Sequence, residues 1–131
     1  MAGDGEGEID VLVVDEEEDM LELTETFLDR ESGRIAVTTE RDPTAAATRA
    51  VEEGFDCVVT DLRMPRIDGI ELCERVHDRQ PELPCLLFTA ADRETVDTRT
   101  NGDELAGVVR KGTGTDHYGE LAALIEDAVS G

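Results

Sequence analysis

The sequence predicts a doubly wound (βα)5 parallel sheet folded as a single domain. Short apolar runs rich in β-branched residues alternate five times with stretches of helical period. No composition break or internal repeat interrupts them, and 131 residues is one domain's length of chain. The strands read Ile9 to Val14, Arg34 to Thr39, Phe55 to Thr60, Cys85 to Thr89 and Ala106 to Val109. The first, third and fourth are nearly continuous apolar runs, as parallel strands covered on both faces require.

Each helix shows its own signature. The first carries Met20, Leu23, Phe27 and Leu28 as its inward stripe, with Glu17, Glu18 and Asp19 as partners of its N-terminal dipole. Helix two opens on Asp42 as N-cap with Pro43 in its first turn, buries Ala46, Ala47, Ala50 and Val51, and stops at Gly54. At helix three, Asp68 and Glu71 have capping-box spacing, and Ile70, Cys73 and Val76 point inward. The fourth candidate, Asp92 to Asn101, has Val96 as its one substantial apolar side chain and is expected to be the least stable element. The last places Tyr118, Leu121, Leu124, Ile125 and Ala128 at i, i+3, i+4 spacing.

Charge narrows the function classes. With 33 Asp and Glu against 12 Lys and Arg, the chain carries −21, a field that repels a nucleic-acid backbone or an anionic membrane. Direct nucleic-acid and membrane binding are therefore not expected. An acidic surface whose one lysine is Lys111 resembles proteins of halophilic archaea, where molar salt shortens the Debye length to roughly 3 Å and screens self-repulsion. Residues 1–8 read as an acidic, Gly-rich N-terminal tail and residues 9–131 as the folded domain, without a signal peptide or membrane span. Cys57, Cys73 and Cys85 lack metal or disulfide spacing and read as small buried hydrophobes in a reducing cytoplasm. His77 and His117 lack ligand partners and are expected on helix surfaces.

In open α/β sheets ligands bind beyond the carboxyl ends of the strands. Here those ends carry Asp15 and Glu16 after the first strand, Asp61 after the third, Thr89 at the end of the fourth and Lys111 just past the fifth. Carboxylates converging there repel one another unless a cation neutralises them, and a hard divalent ion with oxygen ligands suits Asp15, Glu16 and Asp61, with Lys111 completing the balance.

These residues resemble the receiver domain of two-component response regulators from about Ile9 to Val129. The marks are Asp15-Glu16 after a Val-Val strand, the stretch Asp61-Leu62-Arg63-Met64-Pro65-Arg66-Ile67-Asp68-Gly69, Thr89-Ala90, and Lys111. The resemblance implies a flavodoxin-like sheet of strand order 2-1-3-4-5 and a phosphoryl-accepting switch rather than an enzyme with a separate substrate. It makes Asp61 the acceptor of a phosphoryl group from a sensor histidine kinase. Mg2+ would be held directly by Glu16, Asp61 and the backbone carbonyl of Arg63, with Asp15 acting through water, and Thr89 and Lys111 would meet the phosphoryl oxygens. It also implies a downstream protein partner of unknown identity and leaves open a homodimer through the face of the fourth helix, fifth strand and last helix. Three positions depart from the family: Gly112 replaces the usual Pro and is expected to follow a trans bond, Val108 replaces a frequent aromatic, and Glu16 stands where Asp is commoner.

Other functions fit less well. A flavin carrier of this fold needs hydroxyl and glycine donors where Asp15 to Asp19 present five carboxylates, and a hydrolase with an aspartyl nucleophile after the first strand needs Asp where Glu17 stands. The alternative from another class is a receiver-like module that binds a partner without phosphorylation.

Overall fold

The structure, a computed structural model, describes residues 8–91, 94–96, 105–112 and 116–130. Its strands are β1 (Ile9–Val14), β2 (Ile35–Glu40), β3 (Cys57–Thr60), β4 (Cys85–Thr89) and β5 (Gly107–Arg110), all parallel in the order β2-β1-β3-β4-β5. Between them run α1 (Glu18–Glu31), α2 (Pro43–Glu52) and α3 (Gly69–Arg79), and the C-terminal helix spans Asp116–Ser130. β1 and β4 have the expected bounds, while β2 and β5 each begin one residue later and β3 starts at Cys57, leaving Phe55 buried just before it. Of the expected fourth helix, residues 94–96 are helical with Val96 buried, and the rest of Asp92 to Asn101 lies outside the described residues.

The two-residue period of the strands divides the core into two layers. Ile9, Val11 and Val13 join Leu28, Phe88, Leu121 and Ile125 between the sheet and the pair made by α1 and the C-terminal helix. Leu12 and Val14 face the other way, with Ala46, Ala50, Leu72 and Val76 of α2 and α3. A smaller cluster joins Leu62, Ile70, Leu87 and Val96. Each fully buried Leu or Ile contributes roughly 1.5–3 kcal/mol of transfer free energy, so the two layers anchor the strand ends between them.

Several local expectations need correction. Leu23 is 47% exposed and Met20 only half-buried, because the inward face of α1 runs through Leu21, Thr24 and Leu28. Asp68 caps α3 by accepting from the Glu71 N–H at 2.9 Å, but the Glu71 carboxylate pairs with Arg75. Neither histidine is a free surface residue: His77 Nε2 lies 3.0 Å from the Leu83 carbonyl oxygen, and His117 packs on Phe88 and Tyr118. The three cysteines are buried and unbridged. Burial pushes the Cys57 thiol up, whereas hydrogen bonding to Cys73, and secondarily to His77, pulls Cys85 down. Gly54 ends the α2 turn at φ +77, a backbone state that favours glycine.

Candidate functional site

Strand register builds the site. Val14 and Thr60 are partners across β1 and β3, so the next residues, Asp15 and Asp61, emerge side by side where the strand order reverses. The Asp61 N–H donates to the Val14 carbonyl at 3.0 Å and continues the ladder by one residue. On the other side Thr89 and Arg110 are partners across β4 and β5, and the Lys111 N–H donates to the Thr89 carbonyl at 2.8 Å. Four strand ends thus converge on one crevice.

The carboxylates there are individually held. Asp15, only 4% exposed, accepts from the Glu17 N–H on Oδ1 at 2.9 Å and from Lys111 Nζ on Oδ2 at 2.9 Å. Asp61 accepts from the Leu62 N–H on Oδ1 at 2.7 Å, and its Oδ2 lies 3.6 Å from Lys111 Nζ. One ammonium therefore serves two carboxylates, and the site keeps an excess of negative charge. Thr89 is buried, its Oγ1 accepting from the Ala91 N–H at 3.2 Å. A cavity of about 320 Å³ opens beside Asp61 and Thr89, lined also by Arg63, Ala90 and Ala91. A larger cavity of about 550 Å³ lies against α1 and β2, lined by residues such as Glu8, Asp29 and Gly33, and includes none of the strand-end residues.

Glu16 stands apart from this group. It is exposed and lines a neighbouring depression with Arg41, Asp42 and Arg66, and its carbonyl accepts from Arg41 Nε at 3.3 Å. Among the described residues no three His, Cys, Asp or Glu side chains gather as a metal-holding group. In this structure the Lys111 ammonium lies between the Asp15 and Asp61 carboxylates. The donor set still fits a hard divalent cation: two oxygen ligands share a cation, one positive charge does not balance them, and a third carboxylate is one residue from Asp15.

Three features carry no sequence signal of their own. A Cβ on Gly69 would collide with the Asp61 carbonyl oxygen, so α3 starts in van der Waals contact with the strand end. Arg66 adopts φ +73, uncommon for a non-glycine residue, and its Nη1 reaches the Asp42 carboxylate at 3.1 Å. Lys111 Nζ lies 5.3 Å from the centroid of the Phe88 ring. The backbone around Lys111 and Gly112 is trans, as expected.

A family model described as the response regulator receiver domain matches residues 11–121, which includes every residue of this crevice. The chain belongs to the response regulator receiver family. This receiver is 37% identical over 84 residues to the alkaline phosphatase synthesis transcriptional regulatory protein PhoP of Bacillus subtilis, covering 64% of this chain and 34% of that protein. It is 30% identical over 115 residues to the transcriptional regulatory protein ResD of the same organism, covering 88% and 42%. The receiver thus spans well under half the length of these two curated relatives. Among solved structures it resembles the response regulator domain of Thermotoga maritima CheB with a TM-score of 0.83 at 20% identity, covering 95% of this chain and 98% of that one. A receiver domain protein of Clostridium thermocellum gives 0.80 at 19%, covering 93% and 94%. These likenesses establish the fold of the receiver.

Proposed function

We propose that this receiver is a phosphoryl-accepting switch in which Asp61 takes a phosphoryl group from the phosphohistidine of a sensor kinase. The observation that carries the reading is that Asp61 lines an open cavity with Thr89 and Arg63 while its carboxylate lies 3.6 Å from the Lys111 ammonium. A carboxylate oxygen of Asp61 forms the new O–P bond as the N–P bond of the phosphohistidine breaks, and the imidazole leaves. Such a transfer needs positioning and charge neutralisation more than covalent assistance. In this reading Lys111 and the Thr89 hydroxyl would hold phosphoryl oxygens, and the Asp15 carboxylate, 2.9 Å from Lys111 Nζ, would orient that amine. Asp15, Glu16, Asp61 and the Arg63 carbonyl would hold Mg2+, which supplies further neutralisation of the phosphoryl oxygens when bound.

The same constellation would carry self-catalysed phosphorylation from a small phosphodonor and hydrolysis of the aspartyl phosphate. We assign residues 9–131 to the receiver and residues 1–8 to the acidic tail, since β1 begins at Ile9. A downstream protein, rather than nucleic acid, is the partner that the charge of −21 favours for this domain. The composition also supports a halophilic, cytoplasmic setting, and no helix among the described residues is long and apolar enough to cross a membrane.

Incubation with a small phosphodonor and Mg2+ at high salt tests the proposal. The intact mass should rise by one phosphoryl group and return to its starting value on mild base treatment, with no rise in chelator. No phosphorylation from either a small donor or a kinase would overturn it in favour of a receiver fold that binds a partner without phosphorylation.

A further inference from the structure

Lys111 is the shared cation of the site, held by Asp15 and Asp61 on its charged side, while its chain neighbours are small or aliphatic: Gly112 follows it, and the residue three before it is Val108. The structure shows what else it rests on. Lys111 continues the β5 face that carries Val109, in the core layer of α1 and the C-terminal helix, and its Nζ lies over the face of Phe88 at 5.3 Å. Phe88 is 3% exposed and precedes Thr89 on β4. It cannot easily turn away from the amine, because two further rings pack on it. His117 is 5.4 Å from it, centroid to centroid, and Tyr118 is 5.6 Å. Tyr118 in turn stacks on Phe27 of α1 at 5.0 Å.

We propose that Phe88 is a positioning residue for Lys111, holding the ammonium by a cation–π contact at the end of an aromatic cluster that runs through Tyr118 to Phe27. The negative face of the ring attracts the amine in addition to the two carboxylates, and so helps to keep Nζ within reach of Asp15 and Asp61 without a constraint in the chain after it. The contact is made in a partly desolvated place, where Lys111 is 13% exposed, and there such contacts are stronger than at an open surface. This rests on reading Lys111 as the cation of the Asp61 site, but its test does not need Asp61 to be phosphorylated.

Because Lys111 is the one lysine of the chain, its reactivity can be read alone once the α-amine is separately mapped. The rate of Lys111 acylation at high salt would be compared by mass spectrometry in the parent protein and in the Phe88→Leu, Phe88→Met and Phe88→Tyr variants. The Leu and Met variants, which keep an apolar side chain but remove the ring face, should react about fivefold faster. Phe88→Tyr should stay near the parent rate. Phe55→Leu, in the opposite core layer, controls for general loosening and should leave the rate unchanged. Parent-like rates in whichever of the Leu and Met variants are folded would overturn the proposal, as would equal acceleration by Phe55→Leu. Failure of both replacements to fold, with Phe88→Tyr still folded and reacting as fast as the unfolded chain, would also overturn it. A protein in which Phe88 governs amine reactivity but Asp61 never accepts phosphate would leave this inference standing and remove the phosphoacceptor reading.

Discussion

Lys111 is anchored on Asp15, its Nζ 2.9 Å from Oδ2 of a carboxylate that is nearly sealed from solvent. The same amine is 3.6 Å from Asp61, so removing it strands a buried charge and frees the crevice of its cation. Lys111→Met should lower stability by about 1–3 kcal/mol, because the Asp15 carboxylate loses its charged partner. Chemical unfolding at high salt measures this, and combining Lys111→Met with Asp15→Asn should cost less than the sum of the two single changes.

Gly69 should be intolerant of even one added carbon. Its Cβ would enter the Asp61 carbonyl oxygen, a backbone atom that cannot swing aside. Gly69→Ala should cost about 1–3 kcal/mol, in the range of overpacked sites, and should slow phosphoryl uptake by displacing the strand end. Gly33→Ala, where an added Cβ meets nothing within 4 Å, is the matched control. Melting curves and uptake rates of the two variants should separate clearly.

Asp42 gives a pH signature. Hydrogen bonds from the Thr44 hydroxyl at 2.7 Å and then the Thr44 N–H at 3.0 Å hold its carboxyl below the ordinary value of 3.8. A depressed folded-state value means that its contribution is present above that ordinary value and is lost as pH falls through the folded one. Asp42→Ala should therefore melt below the parent at pH 6. The gap should close progressively below the ordinary carboxylate range, while Asp42→Asn, which still caps, should melt closer to the parent at pH 6.

A charge of −21 on one small domain opposes compactness in dilute buffer. Raising KCl from 0.1 M to 2 M should raise the melting midpoint as repulsion is screened. Equal midpoints in circular dichroism melts would remove the support for a halophilic setting.

How legible each part was follows from its physics. The sheet could be read because continuous apolar runs such as Val11 to Val14 have no other use, and Asp15, Asp61, Thr89 and Lys111 could be read because they interrupt or end those runs. The inward face of α1 is harder to read because Thr24 lies on it, a polar residue where the apolar pattern is sought, while Leu23 marks a face that is in fact exposed. The pairing of Lys111 with both Asp15 and Asp61 is less legible, because it depends on the register of β5 against β4 and of β1 against β3 rather than on any local pattern. His117 and Phe88 meet only through the packing of the C-terminal helix on β4, a contact across 29 positions that no local pattern encodes.

The most direct measurement is chemical location of the phosphate. After incubation with phosphodonor and Mg2+, borohydride reduction converts an aspartyl phosphate to homoserine, which peptide mass spectrometry assigns to a residue. Conversion at residue 61, and its loss in a folded Asp61→Asn variant, is the expected result. Conversion at another carboxylate in the parent protein, or undiminished labelling of the folded Asp61→Asn variant, would contradict the assignment of Asp61 as the acceptor.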